Sequence, residues 1–178
     1  MRRAAILALA TGLVLAAPAA ADPYMDPARA AARSEMAKLK LAGQWKGEGW
    51  IDVPRRGRVP FVSEETVQER LGGSAMLIEG LHRDARTHAV VHHALGLLSW
   101  DAGAKEYKMA TALDFGRGGY FPGKLEGNRF TWTLDRPGGP RSRYVITVEG
   151  DRWVEVGERS TDGTTWETFF HMELTRVR

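Results

Sequence analysis

Three of the five histidines in this chain, His88, His92 and His93, fall within one stretch, HAVVHHALGLLSW at 88–100. Imidazole can ligate a metal or a haem iron and can carry a proton near neutral pH. The secondary structure of the stretch decides which of these is open to it. In a helix, His88 and His92 would stand one turn apart and could share an ion. In a strand, residues four apart are separated by about 13 Å, whereas a zinc ion needs ligand atoms about 2 Å away. Adjacent His92 and His93 would then face opposite sides of the sheet, so one of them at most enters an interior.

The neighbouring sequence favours the strand. Asp84-Ala85-Arg86-Thr87 and Asp101-Ala102-Gly103 flank the stretch with turn residues, and Val90-Val91 and Gly96 lie within it. If Asp84–Thr87 closes a hairpin, Arg83 lies opposite His88 and Glu79 opposite His92. A shift of one residue brings Glu79 opposite His93 instead. Either pairing would set a carboxylate against an imidazole, as a polar anchor in an apolar cavity or as an ordinary cross-strand pair. His171, in TFFHMEL near the C-terminus, is a further candidate, and Trp100 and Trp132 are candidate pocket walls.

Other chemistry finds little support. No serine sits in a G-x-S-x-G elbow. Glu64 and Glu65 are adjacent on an expected strand and face apart, which does not suit a two-carboxylate mechanism. The glycine-rich turn Asp114–Tyr120 lacks a phosphate-binding fingerprint and its strand–helix setting. The chain has no cysteine, so thiolate metal sites, thiol nucleophiles and disulfides are absent. A formal charge of +3, two units of which are Arg2 and Arg3, does not describe a nucleic-acid-binding surface. The expectation is a protein that is not an enzyme and does not bind nucleic acid.

The elements that would position these residues follow a regular rhythm. Residues 1–21 open with Arg2-Arg3, continue in an apolar run from Ala4 to Ala17 and end in Pro18 and small residues. This is the pattern of a secretory signal cleaved after Ala21. The adjacent arginines have a poor context for the twin-arginine route. A periplasmic or secreted protein without a membrane span after cleavage is expected. Residues 22–42 hold a helix over 27–40, N-capped by Asp26 with Pro27 in its first turn. Residues 43–178 form the main domain.

There, short β-forming segments alternate with turns of two to five residues. Phe130/Trp132/Leu134 and Tyr144/Ile146/Val148 show period-2 patterning. Such short connections make neighbours antiparallel. About ten strands in an up-and-down meander remove their exposed edges by closing into a barrel. The fold class is therefore all-β, with one N-terminal helix against an end or wall. Most of the six tryptophans must be core, since each removes roughly 150–250 Å² from water when buried.

Gly43-Gln44-Trp45 at the start of the first strand, with Arg176 in the last, resembles the G-x-W motif of the calycin superfamily. In those barrels a basic residue of the last strand lies across the first-strand tryptophan. LAGQWKGEGWI, LGGSAMLIEG, HHALGLLSWD and RWVEVGERSTDGTTW together resemble a bacterial family of exported lipocalin-like barrels of unknown function, over roughly residues 35–178. The resemblance implies the fold and carries no assigned activity; barrel topology with polar residues embedded in otherwise apolar strands leads to the expectation of a small apolar or amphipathic ligand inside the barrel and no cofactor. A more distant resemblance is to the nitrobindins, ten-stranded barrels that hold haem through a late-strand histidine. There Phe169 takes the place of the axial ligand, and His171 is displaced along the strand. Haem or metal held by His92, His93 or His171 is one alternative. A filled barrel serving as an envelope or interaction protein is another.

Overall fold

The computed structural model describes residues 26–135 and 139–177; the expected signal segment, 1–21, lies outside the described residues. Helix α1 (Pro27–Lys38) is followed by ten strands: β1 (Gly43–Val53), β2 (Gly57–Arg70), β3 (Ala75–Asp84), β4 (Val90–Asp101), β5 (Glu106–Leu113), β6 (Gly118–Glu126), β7 (Arg129–Asp135), β8 (Arg141–Glu149), β9 (Arg152–Ser160) and β10 (Glu167–Val177). Each strand pairs antiparallel with its sequence neighbours, and β1 also pairs with β10, closing the barrel. The expected meander, closure and single helix are all present.

Helix α1 starts where Asp26 accepts a hydrogen bond from the Ala28 backbone N–H, and it buries Ala32 and Met36. It covers one end of the barrel. There the Tyr107 hydroxyl donates to the Glu35 carbonyl at 3.0 Å. Leu39, Leu41, Trp45, Leu98, Phe130, Trp153 and Leu174 fill that end. Trp45 meets Trp153 edge-to-face with centroids 5.5 Å apart, and its indole N–H donates to the Leu41 carbonyl at 2.8 Å. The Arg176 guanidinium lies 3.9 Å over the Trp45 ring and donates to the carbonyls of Lys40 and Ala42. Gly43 has φ 137°, and a Cβ there would lie 2.6 Å from the Arg176 guanidinium. Glycine is needed here on both counts.

The opposite end is formed by the β1–β2, β3–β4 and β5–β6 turns. Several inward positions toward it are small: Gly80 on β3, Ala94 and Gly96 on β4, Gly119 on β6. Large residues therefore pack the helix end, while small ones leave space toward the other. A cavity of about 1520 Å³ occupies that space.

The β3–β4 hairpin differs from the expected register. Asp84 accepts hydrogen bonds from the backbone N–H groups of Arg86 and Thr87 through its side chain, and its backbone N–H donates to Ala89. His88, at φ 60°, belongs to the turn rather than to the strand. A bulge then follows between His82 and Arg83. Arg83 consequently lies opposite Val90 instead of His88, His82 opposite His92, and Glu79 opposite Leu95. A longer turn plus one bulge displaces every pair inferred from a four-residue loop.

Candidate functional site

Strand alternation sorts the candidate residues between the two faces of the wall. His92 faces inward with Ala94 and Gly96 and lines the cavity. His93 faces outward, where its ring meets Glu79 at 3.1 Å, both side chains being exposed. They are diagonal neighbours across β3–β4, since Leu81 is the residue directly opposite His93. The inward histidine and Glu79 are therefore on different sides of the wall. His171 also lies outside, stacked on Trp50 with centroids 6.2 Å apart and 3.7 Å from Glu173. Its neighbours Phe170 and Met172 point inward. Trp132 lines the cavity and stacks on Tyr144 at 4.5 Å. Trp100 packs edge-on against Tyr107, away from the cavity.

The acids and imidazoles deep in the cavity are Glu65, His82, His92 and Glu155, while Arg56, Arg58, Asp84, Arg86 and Arg117 line it toward the turns. Glu65 follows Phe61 and Ser63 on the inner face of β2, while its neighbour Glu64 points outward to Lys46 at 2.8 Å. His82 on β3 sits directly opposite Ser63. Its Nε2 lies 3.0 Å from Glu65 Oε1, and the Ser63 hydroxyl donates to that oxygen at 3.3 Å. The imidazole of His82 is stacked on Phe61 with centroids 4.5 Å apart, and the His92 ring is 5.1 Å away. Glu155 on β9 approaches from across the barrel. Between the two acids, the inner face of β1 runs from Trp45, directly opposite Glu65, through Gly47 to Gly49, which lies opposite Met172 on β10 and so in line with Glu155.

Burial sets the protonation of this cluster. It pushes Glu65 up to about 8, partly offset by the Ser63 hydrogen bond. Burial, reinforced by the nearby Glu65 carboxyl, pushes Glu155 up to about 8. It holds His82 down at about 4. His92 is also held at about 4, by burial first and then by the neighbouring His82, with Asp114 pulling the other way. No lysine or arginine side chain neutralises the acids. The close Glu65–His82 contact is thus a hydrogen bond between neutral groups at neutral pH rather than an ion pair, because desolvation disfavours the charged form of each.

The carboxyl group stands between Ser63 and His82. A hydrolytic triad instead needs the imidazole on the hydroxyl it would deprotonate. The arrangement can hold protons and donate or accept hydrogen bonds. Among the described residues, no three His, Asp or Glu side chains converge as a metal site. The late-strand position implied by a haem-barrel resemblance is also ill suited to ligation, because Phe170 points inward and His171 outward.

Gly80 lies directly opposite Glu65, and a Cβ there would come within 2.6 Å of both carboxyl oxygens. Gly80→Ala is expected to destabilise the fold by about 1–3 kcal/mol, as overpacked cores do. Glu65→Ala should remove most of that penalty, because the obstructing atoms are gone. Urea denaturation of the two single variants and the double variant checks this; fully additive effects would contradict it.

Adjacency to Glu64 obscures Glu65 in the sequence, and neither Glu155 nor His82 stands out there by motif or spacing. The signal was present in the alternation: Glu65 shares a face with Phe61 and Val67, and Glu155 shares one with Trp153.

No protein-family model matches the chain, and no curated protein is significantly similar to it. Among solved structures, the chain is similar to Rv2717c from M. tuberculosis. The TM-score is 0.60 at 14% identity, over 83% of this chain and 98% of that one. At that identity the likeness is one of fold: a ten-stranded antiparallel β-barrel.

Proposed function

We propose that this is an exported, calycin-like binding protein that takes a small amphipathic molecule through the open end of its barrel. One observation carries the reading: a cavity of about 1520 Å³ that reaches a buried acid–imidazole cluster whose acids form no ion pair with a lysine or arginine among the described residues. Burying polar groups without full pairing costs free energy. Such a cost is usual where the groups serve a ligand. Phe61, Trp132, Tyr144 and Phe170 supply apolar wall, and Glu65, His82, His92 and Glu155 supply orientation. Binding without turnover is the proposed mode of action, and no cofactor is part of the proposal. The pattern of residues 1–21 supports a periplasmic or secreted location.

The test is native mass spectrometry of the protein purified from its own host, beside an Ala94→Phe variant that narrows the cavity. A small-molecule adduct is expected on the parent protein and not on the variant. Repeated recovery of the parent without an adduct, together with no change in tryptophan fluorescence when host lipid and metabolite extracts are added, would overturn the reading.

A further inference from the structure

Glu65 and Glu155 are only 6 % and 9 % exposed, and both line the cavity. Glu155 forms no ion pair with a lysine or arginine among the described residues, and the polar group beside it is the Trp153 indole. The neighbouring Trp153 indole N–H is itself unpartnered. Two buried carboxyl groups thus line one cavity, and among the described residues neither is paired with a lysine or arginine. Around them stand aromatic faces: Phe61 on β2, Trp132 on β7, Tyr144 on β8 and Phe170 on β10. Aromatic faces attract organic cations, and more so where water is excluded.

We propose that the floor of this cavity is a binding site for an organic cation, a protonated amine on an aromatic or aliphatic body, received by Glu65 and Glu155. The proposal rests on the reading of the barrel as a binding protein and specifies the ligand class. An ammonium group can donate to both acids and supplies the positive charge that the protein itself does not place there. The imidazoles of His82 and His92 are held neutral by burial and leave that charge to the ligand.

The charges facing such a ligand can be followed around the barrel. From β2 comes Glu65, from β3 His82, from β4 His92 and from β9 Glu155. The inner faces of β1, β6, β7 and β10 near the floor are uncharged. At the mouth, Arg58 is held by Asp52 at 3.4 Å. Arg56, Arg86 and Arg117 share the rim with Asp84, and Asp114 lies near His92. The rim is therefore of mixed sign and does not close the cavity to a cation. Because burial keeps the two acids protonated near neutral pH, an arriving ammonium must expel a proton from one of them. The affinity should then rise about tenfold per pH unit between about 6 and 8.

Three probes of one shape separate the outcomes: phenylbutylamine, phenylbutanol and phenylbutyrate, titrated calorimetrically into the full chain. The amine is expected to bind at least about tenfold more tightly than the alcohol at pH 8, with release of about one proton per complex at pH 7. The released proton is read from the difference in heat between phosphate and Tris buffers. A Glu65→Gln, Glu155→Gln double variant should lose the preference and the proton release while still binding the alcohol. If the alcohol binds as well as the amine, or the carboxylate binds best at the arginine-bearing rim, the cation site is overturned and the binding-protein reading survives. If none of the three binds and the protein carries no adduct from its host, both fail.

Discussion

Raising the pH from about 6.5 to above 8 is expected to cost the folded barrel on the order of 4 kcal/mol through two buried acids. Glu65 and Glu155 have ordinary values of 4.5 and folded values of about 8. Between those limits the folded chain binds more protons than the unfolded chain at both sites, so stability falls as pH rises and levels off once the folded acids have ionised. His82 and His92 act in the opposite sense. Their folded values of about 4 lie below the ordinary 6.5, so the unfolded chain binds more protons between those limits and stability rises with pH there.

The two contributions oppose each other between about 4.5 and 6.5. Only the acids remain above 6.5, where each loses about 1.4 kcal/mol per pH unit. The depressed carboxylates Asp84, Asp101, Asp162, Glu126 and Glu173 titrate at more acid pH, and Tyr107 and Lys108 are shifted upward from already alkaline values. None of them titrates in the same window. Urea denaturation at pH 5.5, 6.5 and 8.5 reads the effect directly. The Glu65→Gln, Glu155→Gln variant should show a nearly flat profile and exceed the parent protein in stability at pH 8.5. A parent profile that is flat or rising above pH 6.5 would mean that the acids are neutralised by something other than protons.

This cluster also shows where sequence reasoning stopped. Alternation in β2 and β9 was legible, and with it the inward side of Glu65 and Glu155. What could not be read was that β1 sets Gly47 and Gly49 beyond Trp45 on the inner face between them, so that two acids distant in sequence share one cavity. That is a property of barrel closure, which brings β10 and β9 round to β1. The hairpin of His92 shows a second limit. Its strands were evident from composition, but its register depended on the Asp84-anchored turn, the left-handed His88 and the bulge at His82/Arg83. A displacement of even one residue changes which side chains meet. The inward side of His92 was therefore left open in the sequence, and its partner became His82 instead of Glu79. The architecture was more legible because it depends on many short turns, and an error in one leaves the meander intact.

Trp45→Ala is expected to cost about 3–5 kcal/mol, the largest loss from a single truncation at the helix end of the barrel. Trp45 is fully buried, and three interactions depend on its indole. Its edge-to-face contact with Trp153 is lost. The Leu41 carbonyl loses its donor in a dry environment, which adds a desolvation cost to the cavity. The Arg176 guanidinium loses the ring beneath it. Trp45→Phe should recover much of the loss, because it retains a ring under Arg176 and most of the buried area, but it cannot donate to Leu41. Arg176→Ala should cost about 1–2 kcal/mol, and the double variant with Trp45→Ala should cost less than the sum, since guanidinium and indole support one another. A loss below about 1.5 kcal/mol for Trp45→Ala, or strict additivity with Arg176→Ala, would show that this end relaxes around the missing ring. The distinction bears on function because the helix end is packed solid while the opposite end is lined by small residues. Arg176→Ala should therefore lower stability while leaving amine binding at Glu65 and Glu155 intact, and the Glu65→Gln, Glu155→Gln variant should do the reverse.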